Sequence, residues 1–433
     1  MLRWKEESNG KTGLLIKGAR RVGKSTIVEE FAKREYETYI LIDFSNTSRE
    51  ISQLFDDMSD LNYFFLRLQL LFNTDLHERN SVIIFDEVQL QPLARQAIKH
   101  LVKDGRYDYI ETGSLISIKK NIKDILIPSE ETRLTMYPMD HEEFRWALDD
   151  KTTVGLIRTA FENGVSLGNE VHRKLMRDFR LYMLVGGMPQ AVNEYIDTNN
   201  FSKVDIVKRN ILELYEDDFR KIDPSGSLTA LFDAIPAQLS KNASRYRASS
   251  IDPRIKSKRA SNYIADMVDS LTVNIAYHAD DPNVGMSLTK DINRYKLFLS
   301  DTGLFVTLAF KDKDFTENII YEKLLSDKIA TNLGYVYENA VAQMLQTAGN
   351  ELFYYTFLNE TSNHSYEIDF ILSRGSKICP VEVKSSGYRT HASIDAFSQK
   401  YSERVREKYL IYTKDMQREK DIMMIPAYMT PFI

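Results

Sequence analysis

The stretch GLLIKGARRVGKSTIVEEF, residues 13–31, joins a short apolar run, a loop bounded by glycines and a helical pattern. Within it, GARRVGKS (18–25) fits the pattern G-x-x-x-x-G-K-[ST] in full. The glycines let the backbone curl so that its N–H groups point inward at phosphate oxygens, and the N-terminus of the next helix adds partial positive charge. A glycine turn with a chance lysine is the alternative, but the order of strand, loop and helix favours a phosphate-binding loop.

Every residue of this loop is a candidate for holding a nucleotide. Lys24 would reach the β- and γ-phosphates, the Ser25 hydroxyl would bind Mg²⁺, and Thr26 would lie near the α-phosphate. Arg20 and Arg21 lie inside the loop, where either could face nucleotide or a partner. The predicted ATP-binding set is Gly18, Ala19, Arg20, Arg21, Val22, Gly23, Lys24, Ser25 and Thr26.

A second apolar run, SVIIFDEVQ (81–89), ends in two carboxylates. It would deliver Asp86 and Glu87 to the carboxyl end of a parallel strand, where ligands bind in open α/β sheets. We expect Asp86 to hold the Mg²⁺ through its water shell or through Ser25, and Glu87 to polarise a water for attack on the γ-phosphate. Alone, this pair would indicate a solvated loop, but together with the phosphate loop it predicts ATP hydrolysis rather than binding alone.

Two further candidates follow in the sequence. In YIETGS (109–114), Thr112 is the first candidate for a contact to the γ-phosphate or the attacking water, and Ser114 is the alternative. Both hydroxyls could instead cap the next helix. Arg133 could supply positive charge to a phosphate, in its own chain or in a neighbouring subunit, or be a solvated strand arginine.

These motifs carry a resemblance to a known family. GARRVGKST, FDEVQ, ETGS and MYPMDHEEF are similar to the archaeal and bacterial AAA-type ATPases of the P-loop class. LVGGMPQAV (184–192), YKLFLSDTGL (295–304) and YEIDFIL with VEVKSS (366–386) resemble, in order, the uncharacterised C-terminal region that accompanies that ATPase. Arg21 stands where many relatives place glutamine. The resemblance implies binding of ATP with Mg²⁺ and its hydrolysis, and no biological process.

Composition limits the other classes of protein. A length of 433 residues predicts two to four domains, and the net charge of −5 argues against a chain that is basic all over. The single cysteine, Cys379, excludes a disulfide framework within the chain and favours a reducing compartment. No segment is as long as a transmembrane helix, and MLRWKEESNGK does not fit a signal peptide. We therefore expect a cytoplasmic protein with no membrane partner, and an oligomer is possible.

A basic segment lies in the middle of the chain. Seven basic residues fall within about twenty positions, with Asp252 the only acid among them: Lys241, Arg245, Arg247, Arg254, Lys256, Lys258 and Arg259. Such a cluster attracts phosphate backbones by releasing counterions, and Tyr246 could add a stacking surface for a base. A solvated loop is the alternative. Strand-like pieces after this segment suggest a winged-helix-like module that contacts DNA or RNA.

Acidic residues interrupt the C-terminal hairpin YEIDFILSRGSKICPVEVKSS (366–386). Glu382 and Lys384 share one face of a strand, and the hairpin turn could bring Asp369 close to Glu382. Two carboxylates at a strand centre suit Mg²⁺ or Mn²⁺, with Lys384 orienting a water. Together with Glu338 on the preceding helix, the pattern resembles the PD-(D/E)xK nuclease-like fold. The alternatives are a plain Glu382–Lys384 salt bridge, or a site that binds DNA without cutting it.

The predicted fold class is α/β. A P-loop ATPase domain with a parallel sheet (1–148) precedes a helical segment (149–225), a winged-helix-like basic module (226–312) and an α+β domain like that of restriction endonucleases (313–433). The predicted function is an Mg²⁺-dependent ATPase whose C-terminal half contacts nucleic acid. Two alternatives stay open: an ATP-regulated nuclease, and a signalling or scaffold protein that is switched by ATP and cuts nothing.

Overall fold

The computed structural model describes residues 1–113, 129–241, 244–253, 255, 257–311, 325, 334–359 and 364–433. Two compact units divide the chain: residues 1–137 with 269–271, and residues 138–268 with 272–433. Ser114, Arg254 and Lys256, all named above as candidates, lie outside the described residues. Within the described ranges, no helix is long and apolar enough to cross a membrane.

The first unit contains a five-stranded sheet in the order β2-β3-β4-β1-β5, in which every neighbouring pair is parallel. Its strands are β1 (Gly13–Gly18), β2 (Thr38–Asp43), β3 (Ser81–Asp86), β4 (Asp108–Gly113) and β5 (Glu131–Met136). Its helices are α1 (Leu2–Ser8), α2 (Lys24–Glu35), α3 (Arg49–Gln53), α4 (Leu61–Phe72) and α5 (Pro92–Asp104), with a short 3-10 helix at Val88–Leu90. Because all strands run in the same direction, the carboxyl ends of β1, β3 and β4 lie at the same edge of the sheet.

Successive residues of β1 face opposite cores. Leu15 lies in a core with side chains of α4 and α5, whereas Leu14 and Ile16 lie in a second core with side chains of α1 and α2. Both faces of the sheet are thus covered, which explains why β3 and β4 are buried along their whole length. The predicted parallel α/β sheet of the N-terminal domain is confirmed.

The second unit begins with helices. They are α6 (His141–Ala147), α7 (Thr153–Glu162), α8 (Asn169–Val185), α9 (Pro189–Thr198), α10 (Phe201–Ile222), α11 (Ser227–Asp233), α12 (Ile235–Ser240) and α13 (Ser257–Asp269, of which 257–268 belong to this unit). Further along the chain come α14 (Thr302–Ala309), α15 (Gly334–Thr347) and α16 (Ala392–Lys400). Short 3-10 helices lie at Ala248–Ser250, Met286–Leu288 and Ala427–Phe432.

An eight-stranded mixed sheet completes the second unit, in the order β12-β13-β11-β10-β9-β8-β6-β7. Its strands are β6 (Val273–Ala279), β7 (Lys290–Leu299), β8 (Leu352–Leu358), β9 (Ser365–Arg374), β10 (Lys377–Lys384), β11 (Lys408–Tyr412), β12 (Gln417–Glu419) and β13 (Ile422–Pro426). β6 pairs antiparallel with β7 and parallel with β8. The two strands expected for the basic module therefore share one sheet with the C-terminal strands, and the expected domain limits at 148, 225 and 312 stay predictions.

Candidate nucleotide and acidic sites

The loop between β1 and α2 has the backbone that a phosphate cradle requires. Gly23 (φ 98°) and Arg21 (φ 66°) both adopt left-handed conformations, so the chain turns sharply before α2 begins at Lys24. Gly18 is needed for space, since a Cβ atom there would lie 2.6 Å from the carbonyl oxygen of Met136. Arg21 shows that glycine is not required at every left-handed position of this loop.

Lys24 lies over the first residues of the loop. Its Nζ donates to the carbonyl oxygens of Gly18 at 3.2 Å and Ala19 at 3.0 Å. Burial lowers the pKa of the Lys24 ammonium group, whereas Glu87 and Asp86 favour its charged form. The predicted loop lysine and the predicted carboxylates of β3 are thus electrostatic neighbours in the structure.

Asp86 contacts two other predicted residues at this edge of the sheet. Its Oδ1 accepts a hydrogen bond from Ser25 Oγ at 2.9 Å and another from Thr112 Oγ1. The Thr112 hydroxyl oxygen in turn accepts from the backbone N–H of Glu87 at 3.2 Å. Carboxylate and hydroxyl oxygens are ligands that suit Mg²⁺, so Ser25 and Asp86 fit the metal that the loop implies.

Glu87 adopts a left-handed conformation (φ 52°) directly after β3. Its carboxylate accepts a hydrogen bond from the side-chain amide of Gln89. Sequence reasoning did not identify Gln89, because a glutamine after a buried strand carries no signal of its own. The left-handed turn at Glu87 is what lets a side chain two positions later reach back to it.

Arg133 lies in the middle of the edge strand β5, where it pairs in register with Leu15. Its side chain is half exposed and its Nε is 2.8 Å from Glu131 Oε1. The structure therefore places Arg133 in an ion pair on β5 and not beside Lys24. Its suggested contact to a phosphate stays a prediction.

A buried ion cluster lies behind Thr112. Arg95 on α5 contacts Glu111 Oε2 at 3.1 Å through Nη1 and Glu131 Oε2 at 2.8 Å through Nη2. Burial raises the pKa of the Glu111 carboxyl group to about 8, although the guanidinium of Arg95 opposes this. These ion pairs join β4 to α5 and β5. Because Glu111 directly precedes Thr112, they also help to fix the position of Thr112.

In the second unit, Glu338 and Asp369 join one buried group of charges. Lys296 on β7 contacts Glu338 Oε1 at 2.8 Å and Glu367 Oε1 at 2.6 Å. Burial raises the pKa of the Asp369 carboxyl well above its usual range, Glu338 adds to this, and Lys296 opposes it. Lys296 and Glu367 were not predicted. Glu367 lies two positions before Asp369 on the same strand, so alternation along a strand could have identified it. No neighbouring residue in the sequence indicates Lys296.

Glu382 and Lys384 form a separate pair. Lys384 Nζ lies 3.1 Å from Glu382 Oε1 and also donates to the carbonyl oxygen of Thr390. Burial raises the pKa of Glu382, whereas Lys384 and then His391 lower it. Asp369 approaches this segment through Oδ2, which accepts from the N–H of Val383 at 2.8 Å. Across the described ranges, no group of three or more His, Cys, Asp and Glu side chains is arranged to hold a metal ion.

The basic segment is mostly on the surface. Lys241, Arg245, Arg247, Lys258 and Arg259 are exposed. Tyr246 is buried instead, stacked on Tyr295 with ring centroids 6.2 Å apart, and its hydroxyl donates to the carbonyl oxygen of Leu231. The suggestion that Tyr246 stacks on a nucleic-acid base is therefore wrong, because its ring belongs to the core.

Comparison with solved structures gives only low similarity. A signal transduction ATPase with numerous domains and a tetratricopeptide repeat sensor, from Pyrococcus horikoshii, is 10% identical with a TM-score of 0.29, over 80% of this chain and 45% of that one. A protein from Vibrio cholerae is 11% identical with a TM-score of 0.18, over 91% and 94% of the two chains. Can2 from Sulfobacillus thermosulfidooxidans, solved with cyclic tetra-adenylate, is 8% identical with a TM-score of 0.18, over 90% and 96%. The chain thus spans less than half the length of the Pyrococcus horikoshii protein.

Family comparisons are more informative for the first unit. No curated protein matches the chain. Residues 176–314 and 333–429 match models described as domains of unknown function, DUF8612 and DUF4143, and these descriptions name no activity. Residues 11–145 match a model described as AAA domain. This match confirms the predicted AAA-type P-loop domain for the N-terminal part of the chain.

Proposed function

We propose that the first unit binds ATP together with Mg²⁺ and hydrolyses it. The observation that carries this proposal is the hydrogen-bonded set of Ser25, Asp86 and Thr112, which adjoins Lys24 and Glu87 at the edge where β1, β3 and β4 end. A phosphate-binding loop alone would support binding. The carboxylate of Glu87, held next to the loop lysine, supports hydrolysis as well.

Each of these side chains has a part in the reaction. The backbone N–H groups of the loop and the Lys24 ammonium bind the phosphates and neutralise their charge. Ser25 and Asp86 would hold Mg²⁺, which supplies further positive charge to the phosphate oxygens when it is bound. Glu87 orients the attacking water and accepts its proton, and the Thr112 hydroxyl fixes Glu87 relative to Asp86.

Phosphate release with MgATP tests this function. Lys24→Ala is expected to lower turnover by about 100-fold or more, because a preorganised charge on the transferring phosphoryl group is lost. Glu87→Gln is expected to bind ATP and release almost no phosphate. Lys33→Ala, which removes an exposed lysine from the same helix, serves as the matched control and should keep wild-type turnover. Retained turnover in Lys24→Ala would contradict the proposal.

We further infer that the second unit contacts nucleic acid through its basic segment. Support comes from the exposure of Lys241, Arg245, Arg247 and Lys258, which leaves their charges available to a phosphate backbone. The prediction is a salt-sensitive association that depends little on base sequence, because phosphate contacts carry no direct sequence information.

Cleavage of a phosphodiester is a second candidate for this unit. The hydrogen bond from Val383 N–H to Asp369 supports it, since it brings that carboxylate against the Glu382–Lys384 strand segment. Among the described residues Glu382 Oε2 has no hydrogen-bond partner, and since it is buried this leaves it available to a cation. One contact argues against cleavage: the Lys296 ammonium group already pairs with Glu338, which was expected to be a metal ligand.

Incubation of plasmid DNA with Mn²⁺ separates cutting from non-cutting functions. If the acidic residues cut, wild-type protein should nick the plasmid and Asp369→Asn should not. Glu403→Gln, which changes an exposed acid of the same unit, serves as the matched control and should cut normally. Equally intact plasmid with wild type and Asp369→Asn would reject cleavage and favour an ATP-switched signalling or scaffold protein.

A further inference from the structure

Two hydrogen bonds hold Glu87, whose carboxylate is assigned to the attacking water. Glu87 has a left-handed backbone, and its N–H donates to Thr112 Oγ1 at 3.2 Å. Its carboxylate oxygen Oε2 accepts a hydrogen bond from Gln89 Nε2. The backbone and the side chain of Glu87 are thus held by two different residues, of which Thr112 also contacts Asp86.

Gln89 lies in a hydrogen-bonded turn. It lies inside the 3-10 helix Val88–Leu90, where Leu90 N–H donates to the Glu87 carbonyl at 3.0 Å and Gln91 N–H donates to the Val88 carbonyl at 3.1 Å. The residue as a whole is only 7% exposed. A buried amide loses free energy unless it makes hydrogen bonds, so an apolar residue would suit this position better if packing were its only purpose.

We propose that Gln89 is a positioning residue for Glu87: its amide holds Oε2 and so presents Oε1 to the attacking water. This inference rests on the proposed ATP hydrolysis and deepens it. A free glutamate side chain samples several rotamers, of which few place an oxygen within hydrogen-bond distance of a water at the γ-phosphate. The Gln89 amide removes this freedom before ATP arrives, and the proton of the attacking water then passes to Oε1.

Positioning of this kind affects the rate and not the affinity. Neither Gln89 nor its partner oxygen is among the groups expected to bind the phosphates, which are the loop N–H groups and Lys24. Gln89→Met keeps the length of the side chain and removes the donor. It is expected to lower kcat about 10- to 100-fold, as for loss of a charge-assisted hydrogen bond, while the Kd for ATP changes less than about threefold.

A double-mutant cycle distinguishes positioning from a general structural role. In a Glu87→Gln background the carboxylate is gone, so adding Gln89→Met should lower the residual turnover no further. Gln91→Met is the matched control, because the Gln91 amide donates to the Ser52 carbonyl at 2.9 Å and not to Glu87. That variant should keep wild-type kcat whether or not it loses thermal stability.

The outcomes separate this inference from the function on which it rests. Absence of any ATP turnover by the wild type, or full turnover by Lys24→Ala, would overturn the proposed hydrolysis itself. Wild-type turnover combined with an unchanged kcat in Gln89→Met would overturn the inference alone. A further loss when Gln89→Met is added to Glu87→Gln, or a matching loss of ATP affinity, would also overturn it, because Gln89 would then act on something other than the Glu87 carboxylate.

Discussion

Glu111 shows how a single buried carboxyl group next to the candidate site depends on its neighbours. Arg95 is the one cation that contacts it among the described residues, and Arg95 is shared with Glu131. One buried guanidinium does not fully compensate two buried carboxylates. Burial therefore raises the pKa of Glu111 to about 8, against an ordinary value of 4.5 in the unfolded chain.

This pKa predicts a pH dependence of stability. Between pH 4.5 and pH 8 the folded protein binds a proton at Glu111 that the unfolded chain has lost, so the free energy of unfolding falls as pH rises through this window. The slope approaches about 1.4 kcal/mol per pH unit for one proton. Glu111→Gln cannot ionise and is expected to lose less stability than wild type between pH 5 and pH 8, measured as the midpoint of thermal unfolding.

An exposed glutamate provides the control for this measurement. Glu6→Gln also removes a carboxyl group from the first unit, but Glu6 is exposed on α1. Its pH dependence should match that of wild type. If Glu111→Gln also followed the wild-type curve in parallel, the proton uptake assigned to Glu111 would be refuted.

At the scale of elements, the turn between α8 and α9 is set by two glycines. α8 ends at Val185, and Gly186 (φ 85°) leaves the helix in a conformation that disfavours side chains. Asp301, the N-cap of α14, accepts hydrogen bonds from Gly187 N–H at 2.5 Å and from Leu304 N–H at 2.8 Å. The two glycines of this turn make room for the Asp301 carboxylate and for the backbone of Met139.

Gly187 has no space for a side chain. A Cβ atom there would lie 2.0 Å from the carbonyl oxygen of Met139, which is backbone and cannot swing away. Gly187→Ala is expected to destabilise the protein by about 3 kcal/mol or more, seen as a lowered unfolding midpoint or loss of soluble protein. Gly155→Ala is the matched control: Gly155 lies within α7 with open space around its Cβ, so alanine should stabilise by about 0.5–1 kcal/mol. Equal stability of both variants would show that the structure relieves the clash at Gly187 with little loss of free energy.

Local patterns predicted some elements well and others not at all. The β1 strand, its loop and α2 could be read from the sequence because strand, glycines and helix follow one another directly, and SVIIFDEVQ identified β3 with Asp86 and Glu87 in the same way. Gln89 and Lys296 could not be identified from the sequence. The contact of Gln89 depends on the backbone turn at Glu87, and the contacts of Lys296 depend on the order of the strands in the sheet. Lys296 reaches Glu338 and Glu367 only after β6 and β7 have joined the sheet of β8 and β9.

At the scale of the molecule, charge is distributed unevenly in spite of a net value of −5. Three acids of the second unit were predicted to bind a metal: Glu338, Asp369 and Glu382. They are buried or half-buried and contact or face lysines. The five basic residues of the middle segment that the structure describes are on the surface. A polyanion approaching this unit would therefore meet exposed positive charge that is not neutralised by those carboxylates.

Salt dependence measures whether this surface binds nucleic acid. Neutralising Arg245, Arg247 and Lys258 together should weaken binding to duplex and to single-stranded oligonucleotides regardless of base sequence. If all three contact phosphates, the slope of log K against log salt should become shallower by about 3, because each contact releases about 0.9 counterions from duplex DNA. Neutralising the exposed Lys11, Lys99 and Lys103 removes the same charge from the first unit and should leave the slope nearly unchanged. Fluorescence anisotropy from 50 to 200 mM salt distinguishes the two variants. Equal slopes would mean that the basic segment is a solvated surface, and the nucleic-acid role would then have to be abandoned.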